Sequence, residues 1–293
     1  MTAQLENQQS AYHRGHAAGV ADVDDDVREA MRAYATNDLG LADHIASDRA
    51  DREVRRTIPK AVVGQLVAAG IRIADHDVLD LGAGLGGMSE ELVISGARVT
   101  AVEPGAAWAD LTRRRVARHH GQFTLIEAFG EDIPVPDHSF DLIVSLQVLE
   151  HVRDPDKVLQ EAWRLLKPGG RFYLACGNYL AFYEGHYRVP WLPLLPKSLG
   201  ALYLRALGRS PVFLLEAVTY TTYPAILTQC RRLGFIRRRD EEMVSLLRSK
   251  EGSKWKILRA VARVTGDAGP LFLDRMRHTF TYDVYEMFRK PLA

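Results

Sequence analysis

Apolar and polar positions follow two rhythms through the middle of the chain. Short apolar runs at 77–81, 97–102, 123–128, 141–147 and 171–176 alternate with longer stretches whose apolar residues recur every three or four positions. Runs of that length bounded by turn residues fit buried strands, and the periodic stretches fit helices. The pattern predicts strands at those five places and helices near 87–95 and 106–119, with another beginning after Asp154. Asp154 can cap that helix with Pro155 at its first position. Val158, Ala162 and Leu165 give it an inward face. Lys167-Pro168-Gly169-Gly170 then stops the helix and starts the fifth strand. Strand and helix in alternation predict an α/β, doubly wound parallel sheet, with a ligand at the carboxyl ends of the strands beside the switch in strand order.

The flanks behave differently. Residues 1 to about 24 are polar and read as a tail ending at a helix N-terminus with Asp24-Asp25-Asp26. One or two helices are expected over 26–50, and another over 51–69 closed by Gly70. Residues 179–221 break the strand–helix rhythm: an aromatic and proline-rich stretch precedes a short amphipathic one with Leu199, Leu202, Tyr203 and Ala206 on one face. A helix at 224–233 stopped by Gly234, a strand at 235–244, a helical excursion near 254–277 and a last strand from Thr279 to Phe288 complete the reading. The expected division is 1–59 (tail and covering helices), 60–178 (α/β core), 179–221 (lid insert) and 222–293 (completion of the sheet).

Composition narrows this little but excludes much. The 293 residues are 47% hydrophobic with a formal charge of +1, ordinary for a soluble globular chain and without the basic excess that nucleic acid would call for. Two cysteines, Cys176 and Cys230, are too few for a disulfide framework and point to a reducing, cytoplasmic setting. No basic-then-apolar leader and no apolar run of about 20 residues is seen.

Chemistry concentrates after the first strand, in Val78-Leu79-Asp80-Leu81-Gly82-Ala83-Gly84-Leu85-Gly86-Gly87. Glycines there let the backbone turn sharply and present bare amides to a ligand, with a helix N-terminus pointing at it. The spacing of Gly82, Gly84 and Gly87 alone also fits a dinucleotide-binding turn. Asp80 sits where a carboxylate can meet an ammonium. The second strand ends in Glu103-Pro104, where an acid suits a ribose diol.

Three later segments decide the comparison: Phe140-Asp141 to Leu149-Glu150-His151-Val152, Pro136-Asp137-His138-Ser139-Phe140-Asp141, and Leu166-Lys167-Pro168-Gly169-Gly170. In this order the chain resembles the class I S-adenosylmethionine-dependent methyltransferases, over about residues 60–178 and loosely from Gly234 onward. The resemblance implies a Rossmann-like seven-stranded sheet, S-adenosyl-L-methionine as cofactor with S-adenosyl-L-homocysteine as product, and methyl transfer as the reaction. It implies close backbone contact from Gly82, Ala83 and Gly84, the methionyl ammonium near Asp80, the ribose on Glu103 beside Pro104, and the adenine edge near Glu131 and Asp132. Phe129 stands where many relatives carry an aspartate, so the adenine contact falls to Asp132 or to backbone. The Leu146 carbonyl can accept the ammonium, and Gln147 can close over the cofactor or cap the strand.

Acceptor chemistry has fewer signals. His151 at the mouth of the sheet is either a general base, since imidazole titrates near neutrality, or a loop-holding residue. Glu184 and His186 lie two apart, so an extended segment points both the same way, and a Glu-polarised His can deprotonate a hydroxyl. A metal held by Glu150, His151, Glu184 and His186 is not expected, because no tight ligand spacing supports it. Tyr183, Tyr187 and Trp191 are the candidate acceptor contacts, in an apolar stretch that also suits lid packing, an oligomer interface or, with Arg188, Lys197 and Arg205, a membrane surface. The expectation is O-methylation of a small-molecule, glycan or lipid-linked acceptor. C- or N-methylation and a non-catalytic cofactor-binding subunit are the alternatives, and nucleic acid is not an expected partner.

Overall fold

The computed structural model describes residues 22–242, 265, 267–281 and 283–292. The predicted tail up to residue 21 and half of the helical excursion near 254–277 lie outside the described residues. Strands β1 (Asp77–Leu81), β2 (Arg98–Val102), β3 (Phe123–Ile126), β4 (Phe140–Leu146) and β5 (Leu166–Gly177) pair in parallel. The short hairpin β6 (Tyr183–Glu184) and β7 (Val189–Pro190) stands apart. β8 (Ile236–Arg237) and β9 (Asp283–Arg289) finish the main sheet antiparallel, giving the order β3-β2-β1-β4-β5-β9-β8. β2 and β4 flank β1 on opposite sides, so the crevice at the carboxyl ends of β1 and β4 is the switch point.

Two-residue alternation along the strands divides the core. Leu79, Leu81, Ile143, Phe172 and Leu174 face helices α6 (Pro155–Leu165) and α9 (Tyr223–Leu233), the sixth and ninth in chain order. Val78, Leu142, Val144, Tyr173 and Ala175 face α3 (Thr57–Ala68) and α4 (Gly87–Ile94). α5 (Ala106–Val116) follows β2. The start of α6 is as the sequence requires: the Lys157 amide donates to the Asp154 carboxylate at 3.2 Å with Pro155 in the first turn. Gly234, at φ 96°, ends α9.

The N-terminal stretch divides into α1 (Val23–Ala33), a π-helical turn at Tyr34–Asp38 and α2 (Asp43–Val54). Arg56, at φ 53°, breaks the helix expected over 51–69. β5 starts at Leu166 rather than 171, because Leu166 already pairs with Phe140. The strand expected at 235–244 is only two residues long. After it comes a charged segment without apolar alternation, whose pairs Arg237–Asp240 and Arg238–Glu242 suit a helical turn.

The insert has its own core, shared with the N-terminal segment: Ala35, Leu39, Leu41 and Ala46 pack with Tyr179, Tyr187, Trp191, Leu204 and Phe213. Within it, α7 (Lys197–Ala206) buries Gly200, Ala201 and Leu204, while Leu199 and Leu202 are exposed. The buried face is therefore not the one the apolar residues marked. It is the small-residue face, because the Trp191 indole lies on it: a Cβ on Gly200 would stand 2.7 Å from that ring. α8 (Val212–Glu216) and, after the sheet-forming α9, α10 (Ala268–His278) complete the described helices. Among the described residues no helix is long and apolar enough to cross a membrane.

Candidate active site

The turn after β1 carries three left-handed glycines, Gly82 (φ 81°), Gly84 (φ 56°) and Gly86 (φ 78°). Gly82 is also needed for space, since a Cβ there would lie 2.3 Å from Val148 Cγ2. Above Gly84 the nearest neighbour is the Trp108 ring at 3.8 Å, so the backbone is open to a ligand. The Gly84 and Gly105 amides donate to Glu103 Oε2 and Oε1, both at 2.9 Å. Each carboxylate oxygen keeps a lone pair for a hydroxyl. Burial raises the Glu103 pKa while the two amides oppose it.

Asp80 is buried and accepts from Ser89 Oγ at 2.6 Å. Burial pushes its pKa up to about 7, and the nearby charges of Glu103 and Glu53 add to this. On β4, the register partner of Leu81 is Ser145, whose Oγ is buried without a partner. Bare amides, a diol-sized carboxylate and an acid with no counter-cation fit a ligand bearing a ribose and positive charge. S-adenosylmethionine, with its sulfonium and ammonium, is such a ligand.

The other predicted cofactor residues differ in setting. Pro104 continues β2 into α5 behind Glu103. Glu131 Oε1 accepts from the Arg153 and Asp154 amides at 3.0 and 3.4 Å, tying the loop to the start of α6, while its Oε2 is buried without a partner. Asp132 is exposed. Leu146 ends β4, and Gln147 has φ 54° with its amide donating to the Ala175 carbonyl at 2.7 Å. Phe129, in the expected aspartate position, lies under the Arg153 guanidinium.

Val148, pressed on Gly82, leads directly into a 3-10 turn, Leu149–His151. Glu150 Oε1 accepts from the Gly177 amide at 3.0 Å, whereas Oε2 is buried and has no partner. His151 Nδ1 meets the Ala217 carbonyl at 3.0 Å. From the lid, His186 Nδ1 meets Glu184 Oε1 at 2.8 Å, and Glu184 Oε2 accepts from the Tyr187 amide at 2.7 Å. The two imidazole rings lie 5.1 Å apart, and both pack on Phe213. All three predicted catalytic residues thus meet in one place, although 33 residues separate Glu184 from His151. Burial drives the His151 pKa down to about 3, helped by His186. Burial would lower His186 too, but its bond to Glu184 and the charge of Glu150 outweigh that and raise it. Glu184 moves below its ordinary value: burial opposes this, and the hydrogen bond from His186 leads the groups that overcome it.

Of the three predicted acceptor contacts, Tyr187 and Trp191 are buried in the lid core, and the Tyr187 hydroxyl accepts from the Leu214 amide at 3.1 Å. Tyr183 is 41% exposed on β6. Sequence reasoning missed Arg49, whose Nη2 donates to the Gly185 and His186 carbonyls at 3.2 and 3.4 Å. It also missed Phe213, which spaces the two imidazoles. Neither residue carries a local signal, since each works only through a distant segment.

Residues 79–174 match the family model described as "Methyltransferase domain". Over this third of the chain the protein is similar to S-adenosylmethionine-dependent methyltransferases. The seven-stranded sheet, in the order β3-β2-β1-β4-β5-β9-β8, is the fold of the class I members of that group. Among curated relatives, a ubiquinone biosynthesis O-methyltransferase from Pseudomonas putida is 32% identical over 151 residues, covering 45% of this chain and 63% of that one. A demethylmenaquinone methyltransferase from Clavibacter sepedonicus is 32% identical over 145 residues, covering 50% and 54%. The chain thus spans less than two thirds of either relative's length. A solved structure, a putative sarcosine dimethylglycine methyltransferase from Galdieria sulphuraria, aligns with a TM-score of 0.50 at 17% identity over 84% of this chain and 88% of that one, a likeness of fold alone.

Proposed function

We propose that this protein is an S-adenosylmethionine-dependent methyltransferase that acts on a hydroxyl oxygen of a small, largely apolar acceptor such as a phenol carrying a hydrocarbon tail. The observation that carries this is the meeting of Glu150, His151, Glu184 and His186 at the switch point, beside the turn whose Val148 touches Gly82. An amine acceptor needs little help to lose its proton after attack, whereas a hydroxyl benefits from a base at hand.

When bound, the cofactor supplies an electrophilic methyl group, whose bond to sulfur breaks as the bond to the acceptor oxygen forms, leaving S-adenosylhomocysteine. Gly82, Ala83, Gly84 and Glu103 hold it at the ends of β1 and β2, and Asp80 supplies buried negative charge behind them. The cluster orients the acceptor and takes up the hydroxyl proton on its unengaged basic atoms. Glu184 fixes the His186 ring through Nδ1, and Phe213 keeps both imidazoles in place. Lid and N-terminal helices exclude water. Such alignment is worth up to about 7–11 kcal/mol of barrier.

Two observations support an apolar acceptor. The names of the similar proteins include quinone O-methylation. The lid exposes Phe182, Leu192 and Leu202, each more than 60%, near its hairpin and helix, a surface that suits a lipid-like acceptor or the membrane holding it. The test is methyl-labelled cofactor with purified protein, offered catechols with and without a prenyl tail, followed by phase partition. Ether-linked label in the organic phase, reduced at least tenfold in His186→Gln, is the expected result. Label only on polar acceptors would remove the apolar reading, and cofactor binding without any transfer would favour a non-catalytic role.

A further inference from the structure

The cluster contains a chemical mismatch. One ligand-type atom from each of Glu150, His151 and His186 lies within 4.8 Å of the others. Both imidazoles already commit Nδ1 to oxygen acceptors, the Ala217 carbonyl and the Glu184 carboxylate. A neutral imidazole that donates from Nδ1 keeps a lone pair on Nε2. Glu150 Oε2 is also an acceptor, buried and without a partner. Glu150 Oε2 thus stands buried and, among the described residues, unpartnered beside two imidazoles, at a cost that native interiors rarely tolerate. A cation resolves the mismatch.

We propose that Glu150, His151 and His186 form a divalent-cation site, with Glu184 and the Ala217 carbonyl as its outer supports. Outer acceptors on the second ring nitrogen are what orients metal-binding histidines. Two imidazoles and one carboxylate leave further positions open and favour a borderline ion such as Zn²⁺, Co²⁺ or Fe²⁺ over Mg²⁺ or Ca²⁺. Charge agrees: Glu150 and Glu184 together balance one divalent ion. The lack of a local ligand spacing, which argued against a metal in the sequence, is made good by the lid, which folds His186 onto the turn of Glu150 and His151. The inference rests on the proposed function in one respect, the site's proximity to the acceptor oxygen. With the ion bound, the basic atoms that take the proton in the metal-free reading are its ligands instead; the ion would polarise a coordinated hydroxyl, whose proton is lost to solvent as the acceptor binds, and the oxygen would then be the nucleophile in the methyl transfer already described.

The experiment uses untagged full-length protein, stripped with chelator, and Co²⁺ as probe in the absence of cofactor and acceptor. Binding of one equivalent with visible ligand-field absorption is expected. Affinity should fall at least tenfold in His186→Ala and in the near-isosteric Glu150→Gln, and by a similar factor in Glu184→Gln, while His44→Ala, at an exposed position on α2, leaves it unchanged. Thermal unfolding of each variant reports folding separately. Absence of stoichiometric Co²⁺ binding by the wild type, or binding indifferent to both Glu150→Gln and His186→Ala in folded protein, overturns the site. Transfer that persists after chelation with no Co²⁺ bound removes the ion site and leaves the O-methyltransferase reading standing. Co²⁺ bound by these residues in a protein that transfers no methyl group does the reverse.

Discussion

Asp80 and Glu103 show how one buried acid differs from another at the scale of a residue. Glu103 receives two amides, whereas Asp80 receives Ser89 and has acids among its charged neighbours. With its pKa raised to about 7 in the folded protein, Asp80 binds a proton that the unfolded chain releases near pH 4. Its contribution is therefore fully present at pH 4 and lost as pH rises through about 7. Asp80→Asn should flatten that loss, so that the cofactor-free variant is the more stable protein at pH 8 and gains little at pH 5, as read from denaturant midpoints. The same variant should bind S-adenosylhomocysteine more weakly, because the ammonium loses a counter-charge. Glu103→Gln should weaken that binding by roughly 10- to 100-fold, the loss of charged hydrogen bonds worth about 1.5–3 kcal/mol, measured by calorimetric titration. Both residues were legible in the sequence because strand ends and glycine spacing fix their place. The partnership of Asp80 with Ser89 was not, since it depends on how α4 turns its first residues back onto β1.

At the scale of elements, one carboxylate joins α4 to its neighbours. Glu90 is fully buried and accepts from Arg115 at 2.6 Å, Arg56 and Arg118 at 2.8 Å, and His119 at 2.7 Å. Arg115 continues to the Glu53 carbonyl at the end of α2. Burial alone would raise the Glu90 pKa, but His119, Arg115 and Arg56 bring it down to about 2. Its stabilisation is thus present above the ordinary carboxylate range and lost as pH falls through about 2. Glu90→Gln takes one of two carboxylate partners from the fully buried Arg115, which keeps Glu53, and should cost about 3 kcal/mol at pH 7 in denaturant unfolding. It should also remove part of the acid-induced loss seen in the wild type. Nothing in the sequence marks Glu90, because its partners come from α5, the turn after it and the break between α2 and α3. The strands and α6 were legible for the opposite reason. Apolar runs, a capping Asp154 and a stopping glycine are local signals, and where such signals failed, as at 237–242, charge pairing had replaced apolar alternation.

The whole molecule places the candidate catalytic cluster between two bodies that the sequence keeps far apart. α2 reaches the lid through Arg49, and Arg209 beyond α7 returns to the Gly40 carbonyl at 2.7 Å. Between these two ties the segments share one apolar core, with Tyr34 and Phe213 ring to ring at 5.5 Å. His186 is therefore held from both sides: Glu184 fixes its ring, and Arg49 fixes its backbone. Arg49 touches neither the glycine turn nor Glu103 in any recorded hydrogen bond, so its loss should separate cofactor binding from transfer. Arg49→Ala is expected to leave the S-adenosylhomocysteine affinity within about twofold, since independent sites couple by only about 0.3–0.5 kcal/mol. Transfer should fall by about tenfold or more, because small displacements of a positioned group are costly in rate. Arg49→Lys, which keeps one charged donor but not the planar fork, should recover part of it. Equal losses of cofactor affinity and transfer in Arg49→Ala would instead show that α2 holds the fold of the cofactor site itself, and the lid would then owe its position to its apolar core.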